Sequence, residues 1–365
     1  MLKGIGKKKL IIIAACAIGF IVLLIIILLL IHALNGNKKS YSGIENKLLT
    51  AAKEYYAENE KLLPQTVTEE LSIDDVSLTA AGYLKDMNDL TPSGVTCTGK
   101  VVITYNGSTY RYTPLLDCGD NYKTKTLSSY IEENEPRVFS GVGLYDLNGE
   151  YVYRGETPNN YITFAGKSYR IVKITNGHAV LIYNEKLSRL AWDDRYNEQR
   201  NRIDGINTYA VSRLREFLDE IYKGNDIIAD EYKELVSSHQ LYVGKRAQSD
   251  SYNDGSIEKS EVIDNQFIGA LPLYDYINAS IDNNCNSVNT TSCVNYNYLN
   301  SYRYSWWSGT ANSDNTYMVY RIGSAGTIET IRASTFGYVR PVIYLVSDAI
   351  YVSGDGTEEN PYVIK

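Results

Sequence analysis

Residues 140–187 read SGVGLYDLNGEYVYRGETPNNYITFAGKSYRIVKITNGHAVLIYNEKL. Three two-residue turn signals divide this stretch, namely Asn148-Gly149, Ala165-Gly166 and Asn176-Gly177. Each signal lies between runs that are rich in Tyr, Val and Ile, which are residue types that favour strands. Asn-Gly is also the strongest short-range signal of a hairpin. The spacing predicts an antiparallel meander at the start of a sheet-rich α+β domain.

After the meander, the sequence predicts a helix, long polar loops and then a closing set of strands. Residues 207–222 carry one apolar stripe, with Asn207 or Thr208 as the expected cap. Residues 227–236 predict a second short helix, and residues 244–262 predict a polar loop. The strand-like runs that follow are WWSGT, NTYMVYRIG, GTIETIRAS, GYVRPVIYLVS and NPYVIK.

This order of elements resembles the C-type-lectin-like fold. That fold is shared by formylglycine-generating enzymes, phage receptor-binding domains and a large group of uncharacterised bacterial surface domains. The resemblance lies in ITFAGKSYRIV, SRLREFLDEIY, and Trp306-Trp307 followed by GYVRPVIYL. It implies a lectin-like domain over residues 141–365.

The candidate ligand-binding residues are Trp306, Trp307 and Arg340. A planar guanidinium can pair with a carboxylate or stack on an indole ring, and both uses suit a binding site. The alternative is packing at the edge of the core. We expect the loops in residues 244–315 to contact the ligand.

The preceding segment predicts a small α+β module over residues 35–118. Residues 42–63 carry apolar side chains at helical spacing, and Pro64 ends the helix. Two alternating runs then flank Asn106-Gly107, which predicts a hairpin. Cys97 and Cys118 stand at its two open ends, where paired strands are close enough for a disulfide.

A long N-terminal helix followed by such a hairpin resembles type IV pilins and pseudopilins of Gram-positive bacteria over residues 1–118. That resemblance implies self-association through the N-terminal helix. Prepilins carry a Gly-Phe processing site and a Glu inside the apolar run. Here Gly6 is followed by Lys7, and residues 10–34 contain no acid.

The apolar run is LIIIAACAIGFIVLLIIILLLIHAL at residues 10–34. A helix of roughly 20 apolar residues crosses a hydrocarbon core of about 30 Å, so the run predicts a single-pass anchor; a cleaved signal peptide is the alternative. The Lys residues before it favour a cytoplasmic N-terminal tail at residues 1–9. The later domains are then extracellular, with residues 119–140 as a linker.

The cysteines outside the apolar run form two local pairs, since Cys285 and Cys293 lie close in the sequence, as do Cys97 and Cys118. An even number of closely spaced cysteines predicts two disulfides in an oxidising exterior. Four reduced cysteines in a cytosolic domain are the alternative.

The remaining motifs predict neither catalysis nor a cofactor. The net charge is −7 and no basic patch follows the apolar run, which makes nucleic acid an unsuitable partner. No HExxH, GxSxG or P-loop occurs. Residues 250–261 partly match a calcium loop, but Tyr252 occupies a ligand position, and a solvated loop without metal is expected.

The sequence therefore predicts a cell-surface binding or adhesion protein with a lectin-like domain. Its partners are the membrane and an unidentified surface glycan or protein. A structural component of a pilus-like or secretion assembly, packed through the N-terminal helix, is the alternative.

Overall fold

The computed structural model describes residues 40–66, 69–105, 109–251, 253–288, 290–301 and 303–365. Within these ranges the chain divides into two compact units. The smaller unit comprises the described residues up to Leu63, with Glu70–Ile103 and Tyr112–Lys123. The larger unit comprises Pro64–Glu69, Thr104–Arg111 and Thr124–Lys365.

The predicted cytoplasmic tail and membrane anchor, residues 1–34, lie outside the described ranges. Among the residues that the structure does describe, no helix combines the length and the apolar character that crossing a membrane requires.

The smaller unit packs short helices against a three-stranded sheet. Its helices are α1 (Tyr41–Glu58), α2 (Asp75–Ala80) and α3 (Met87–Leu90). Its sheet has β1 (Glu70–Asp74), β2 (Thr98–Tyr105) and β3 (Tyr110–Asp117), which neighbour one another in that order, although the described ends of β2 and β3 within Thr104–Arg111 fall in the larger unit. Helix α1 buries Leu48 and Ala52, as its sequence period predicts, and it ends at Glu58 before a short 3-10 turn, Glu60–Leu62.

The predicted hairpin and its disulfide are confirmed in the smaller unit. Strands β2 and β3 are hydrogen-bonded neighbours, and Cys97 is bonded to Cys118. Both sulfurs belong to residues that are buried in the core of this unit. The predicted turn at Asn106-Gly107 lies outside the described residues.

The larger unit is a sheet-rich α+β structure. Its helices are α4 (Leu127–Asn134), α5 (Arg213–Lys223) and α6 (Leu273–Asn278). Its strands are β4 (Gly143–Leu147), β5 (Glu150–Arg154), β6 (Tyr161–Phe164), β7 (Lys167–Thr175), β8 (His178–Tyr183), β9 (Arg189–Ala191), β10 (His239–Tyr242), β11 (Val262–Gln266), β12 (Gly269–Ala270), β13 (Trp306–Ala311), β14 (Met318–Ile322), β15 (Ile328–Arg332), β16 (Phe336–Tyr338), β17 (Pro341–Tyr344), β18 (Tyr351–Ser353) and β19 (Tyr362–Ile364).

Three sheets organise these strands over the described part of the larger unit. The largest sheet runs β12-β17-β8-β7-β6-β19-β18, and β5 joins it beside β7 and pairs with β4. A second sheet has the order β15-β14-β13-β16-β9, while β10 and β11 form a pair. One continuous apolar core includes side chains from both large sheets and from α4, α5 and α6.

The predicted meander is confirmed turn by turn. The β4–β5, β6–β7 and β7–β8 hairpins turn at 148–149, 165–166 and 176–177, the three positions that the sequence indicates. Both residues of each turn have positive φ; for example, Asn148 has 57° and Gly149 has 85°. This combination belongs to the type I′ turn, whose twist matches that of the flanking strands.

Three other predictions were wrong in detail. The predicted linker at 119–140 contains α4, and its Leu127 and Ile131 are buried in the core of the larger unit. Helix α5 begins at Arg213 because Ser212, rather than Asn207 or Thr208, accepts the capping hydrogen bond from the Arg215 amide. The predicted helix at 227–236 is only a 3-10 turn, Asp230–Leu235.

A partly buried histidine gives the larger unit an expected sensitivity to acid. His239 stacks on Tyr344 with ring centroids 3.8 Å apart, and burial lowers the pKa of His239 to about 4. In the unfolded chain this pKa is about 6.5, so the unfolded chain binds the proton at a higher pH than the folded protein does. The stability that the neutral ring contributes is therefore complete above pH 6.5 and is lost as pH falls from 6.5 through 4. Allowing for the partial exposure of the ring, the loss is about 2 kcal/mol.

The variant His239→Phe keeps the aromatic stack and removes the titrating group. Urea unfolding at several pH values between 7 and 4 should therefore show a smaller loss of stability in the variant than in the wild type. Parallel pH profiles for the two proteins would contradict this role of His239.

Candidate functional site

The three candidate binding residues lie together inside the core of the larger unit. Trp306, Trp307 and Arg340 are 0 %, 1 % and 3 % exposed. The Arg340 guanidinium stacks on the Trp306 ring at 5.0 Å from its centroid, and it donates hydrogen bonds of 3.0 Å to two backbone carbonyls, those of Tyr183 and Leu299. The stacking that the sequence suggested is present, but these side chains offer little surface to a ligand.

The segment at residues 250–261, which was predicted to be a solvated loop, differs from that prediction at Glu258. Glu258 is fully buried, and its carboxylate accepts two 3.0 Å hydrogen bonds from the equally buried Arg246. Asp254 accepts bonds from the amide and hydroxyl of Ser256. The described residues contain no group of three acidic, His or Cys side chains that could hold a metal ion.

The second predicted disulfide is confirmed. Cys285 is bonded to Cys293, and both residues are buried in the core of the larger unit. The bridge fixes the Asn-rich loop that follows α6. Both pairs that the sequence spacing indicated are therefore bridged.

The larger unit also holds a buried charge cluster, which we define as Lys173, Glu150, Lys259, Tyr274 and Asp275. Lys173 is on β7, Glu150 begins β5, Tyr274 and Asp275 are on α6, and Lys259 is in the 3-10 turn Glu258–Ser260. The cluster thus joins two neighbouring strands, a helix and a loop. Between Ile171 and Lys173, β7 has one extra residue relative to β8, an irregularity that redirects side chains locally.

Short contacts converge on the Lys173 ammonium. Its Nζ lies 3.0 Å from Asp275 Oδ1, 3.1 Å from Glu150 Oε2 and 2.6 Å from the Tyr274 hydroxyl. The Lys173 side chain is 0 % exposed and that of Asp275 is 2 % exposed. Lys259 contacts Glu150 from the opposite side, with Nζ 3.3 Å from Oε1.

The electrostatics of the cluster follow from burial and from these pairings. Burial raises the pKa of Asp275 to about 6, even though Lys173 favours the charged carboxylate. Burial opposes the charge of Lys173, but Asp275 and Tyr274 outweigh it and raise the pKa of Lys173 well above its usual value. Burial also opposes the charge of Glu150, but Lys173 and Lys259 outweigh it and lower the pKa of Glu150.

A cavity of about 200 Å³ opens beside this cluster. Glu150, Lys259 and Tyr274 form part of its wall. The remaining lining residues come from the β4–β5 hairpin, the loop before Lys259 and the end of α6, and they are Leu147, Asn148, Val152, Asn253, Asp254 and Asn278. Amide and charged groups therefore surround a small concave space.

Comparison with protein-family models, curated proteins and solved structures finds no match for this chain. Function must therefore be argued from the cavity and the cluster themselves.

No sequence motif identified Lys173, Glu150 or Asp275 as site residues. The signal in the sequence was Lys173 itself, because it interrupts the apolar segment IVKI of a strand that is buried on both faces. Lysine is almost never fully buried unless it is paired. That signal could have indicated a buried acidic partner, but the sequence does not show which acid it is.

Proposed function

We propose that this chain is a membrane-anchored extracellular binding protein whose larger unit has a C-type-lectin-like fold and binds a surface glycan. The order of meander, α5, loops and closing strands supports that fold. The two disulfides support an oxidising exterior. The apolar run at residues 10–34 supports a single-pass tether with the N-terminus in the cytoplasm.

The observation that carries the proposal is the set of polar side chains in the wall of the cavity, which Leu147, Val152 and Tyr274 complete. Three asparagines, two carboxylates and one ammonium surround it. Amide groups both donate and accept hydrogen bonds, as the hydroxyls of a sugar do. A volume of about 200 Å³ is below the usual range for drug-sized ligands and suits a single sugar-sized group.

The variant Asn148→Gly tests this site without disturbing its backbone. Asn148 has φ of 57°, which glycine adopts readily, so the change removes the amide and retains the turn. An array of defined bacterial envelope oligosaccharides identifies the one that the wild type binds best. Calorimetry with that oligosaccharide should show that Asn148→Gly binds it about tenfold more weakly than the wild type does.

Asn176→Gly is the matched control, because Asn176 has φ of 49° in an equivalent turn and does not line the cavity. Its affinity should equal that of the wild type. Equal weakening in both variants, or no binding of any oligosaccharide by the wild type, would contradict the proposal.

One observation favours the alternative of a structural component. The smaller unit has a groove of about 640 Å³, which is lined by residues of α1 and by the segment from Tyr83 to Leu90. Such a groove along the first described helix could accommodate a neighbouring subunit. A high-mass complex of the detergent-extracted full chain in sedimentation, without oligosaccharide binding, would favour assembly over recognition.

A further inference from the structure

We propose that Lys173 and Asp275 form an intramolecular amide bond, with Glu150 as the catalytic residue that carries the proton. The bond would join strand β7 to helix α6 across 102 positions of the sequence. It would be a modification built into the larger unit, independent of any ligand in the cavity.

The geometry places the reacting groups together before any reaction. Lys173 Nζ is 3.0 Å from an Asp275 oxygen, and the same nitrogen is 3.1 Å from Glu150 Oε2. These are hydrogen-bonded ion-pair distances, and they hold the amine and the carboxyl in contact, so that the two groups meet far more often than they would in solution. The Tyr274 hydroxyl, 2.6 Å from Nζ, accepts a further hydrogen bond that fixes the amine.

Lysine is the cation that this reaction requires. A deprotonated lysine amine is a nucleophile, whereas an arginine guanidinium keeps its charge in proteins. The larger unit provides the contrast, because the equally buried Arg246–Glu258 pair has the same burial and no reactive amine. The raised pKa of Asp275, about 6, means that this carboxyl takes up a proton more readily than an exposed aspartate. The raised pKa of Lys173 and the lowered pKa of Glu150 make removal of the ammonium proton the uphill step of the reaction.

The step balances without any other reagent. Glu150 removes one proton from the Lys173 ammonium, and the free electron pair of Nζ forms a bond with Asp275 Cγ. A carbon–oxygen bond of Asp275 then breaks. Of the three ammonium protons, one stays on the amide nitrogen, and the other two leave with that oxygen as water. Glu150 delivers one of these two protons and so returns to its initial charge.

The surroundings favour the product. Amide formation removes two charges from a site where Lys173 and Asp275 are almost completely buried, and buried charges are costly to keep. Glu150 does not become an unpaired charge, because Lys259 lies 3.3 Å away on its other side. The cavity shares Glu150 and Tyr274 as wall residues, so the released water has a route out.

The other titratable groups around the pair are consistent with this chemistry. Tyr344 on β17 acts electrostatically on Lys173, Glu258 in the loop acts on Asp275, and Tyr242 on β10 acts on Tyr344. The pKa values of Tyr274 and Tyr344 are raised, chiefly by burial, so both phenols stay neutral at physiological pH. Besides Asp275 itself, Glu150 is the carboxylate in direct contact with the amine.

Mass spectrometry of the full chain tests the proposal directly. The purified, folded protein should be lighter than its disulfide-bonded sequence by the mass of one water. After trypsin digestion, the peptides with Lys173 and Asp275 should appear as one branched product. A full-length mass without that loss, together with separate linear peptides for Lys173 and Asp275, would overturn the proposal.

Two variants identify the roles of the residues. Lys173→Arg keeps the positive charge but lacks the amine, and Glu150→Gln keeps the shape but lacks the base. Both should retain the full mass and yield linear peptides only. A branched product in Glu150→Gln at the wild-type yield would overturn the role of Glu150. The mass of the wild-type protein alone decides whether the bond exists, even if either variant folds poorly.

Discussion

Replacing Glu258 with Ala is expected to lower the free energy of unfolding by about 3–5 kcal/mol, because it leaves Arg246 as a buried charge without its carboxylate. Both side chains are 0 % exposed and share two hydrogen bonds of 3.0 Å. The backbone of Arg246 is also held, since its amide donates to Ala311 and its carbonyl accepts from the Tyr320 hydroxyl. The arginine therefore cannot easily turn towards water.

Urea unfolding of the full chain measures this loss. The double variant Arg246→Met with Glu258→Leu is the sharper control, because removing both charges together is often nearly neutral. It should recover most of the stability that Glu258→Ala loses. A second control, Glu216→Ala, breaks an exposed pair with Arg213 and should cost only about 0.3–0.5 kcal/mol. A loss below about 1 kcal/mol for Glu258→Ala would contradict the structural role of the pair.

Replacing Cys97 and Cys118 together with Ala is expected to destabilise the smaller unit by about 3 kcal/mol. The bridge spans 21 positions, and opening it restores the corresponding conformational freedom to the unfolded chain. The smaller unit has a small core, so this amount is a large fraction of its stability. Limited proteolysis with peptide mapping should show new cleavage within residues 40–123.

The matched variant removes Cys285 and Cys293 instead. This bridge spans only 8 positions, so the entropic loss is smaller, about 2.5 kcal/mol. Its new cleavage sites should fall in the larger unit. If reduction of the wild-type protein leaves its proteolytic pattern unchanged, neither bridge stabilises its unit as expected.

The predictions that succeeded are those in which neighbouring residues decide the outcome. Asn148-Gly149 and Asn176-Gly177 adopt positive φ because asparagine and glycine tolerate that conformation, and no distant contact is needed. The cysteine pairs were predictable for the same reason, since each pair is close in the sequence. Helix α4 was missed because its short polar sequence forms a helix by burying Leu127 and Ile131 against distant strands.

The roles of the candidate site residues likewise depend on contacts with residues that are distant in the sequence. Tryptophan and arginine near a loop region are typical of binding sites, but the fold buries Trp306 and Arg340 and pairs the guanidinium with backbone carbonyls. Likewise, the sequence shows Glu258 only as one of several acidic residues in a polar loop. Only the packing of that loop shows that it neutralises Arg246 inside the protein.

By itself, the sequence determined the meander, the hairpin with its bridge and the sheet-rich character of the larger unit. Turn conformation, side-chain alternation and short covalent loops are local properties, and the identity of adjacent residues is enough to specify them. The tertiary structure alone decided that Lys173, Glu150 and Asp275 meet. Their contact requires two paired strands and a helix from separate parts of the chain to pack together, and no short stretch of sequence encodes that arrangement.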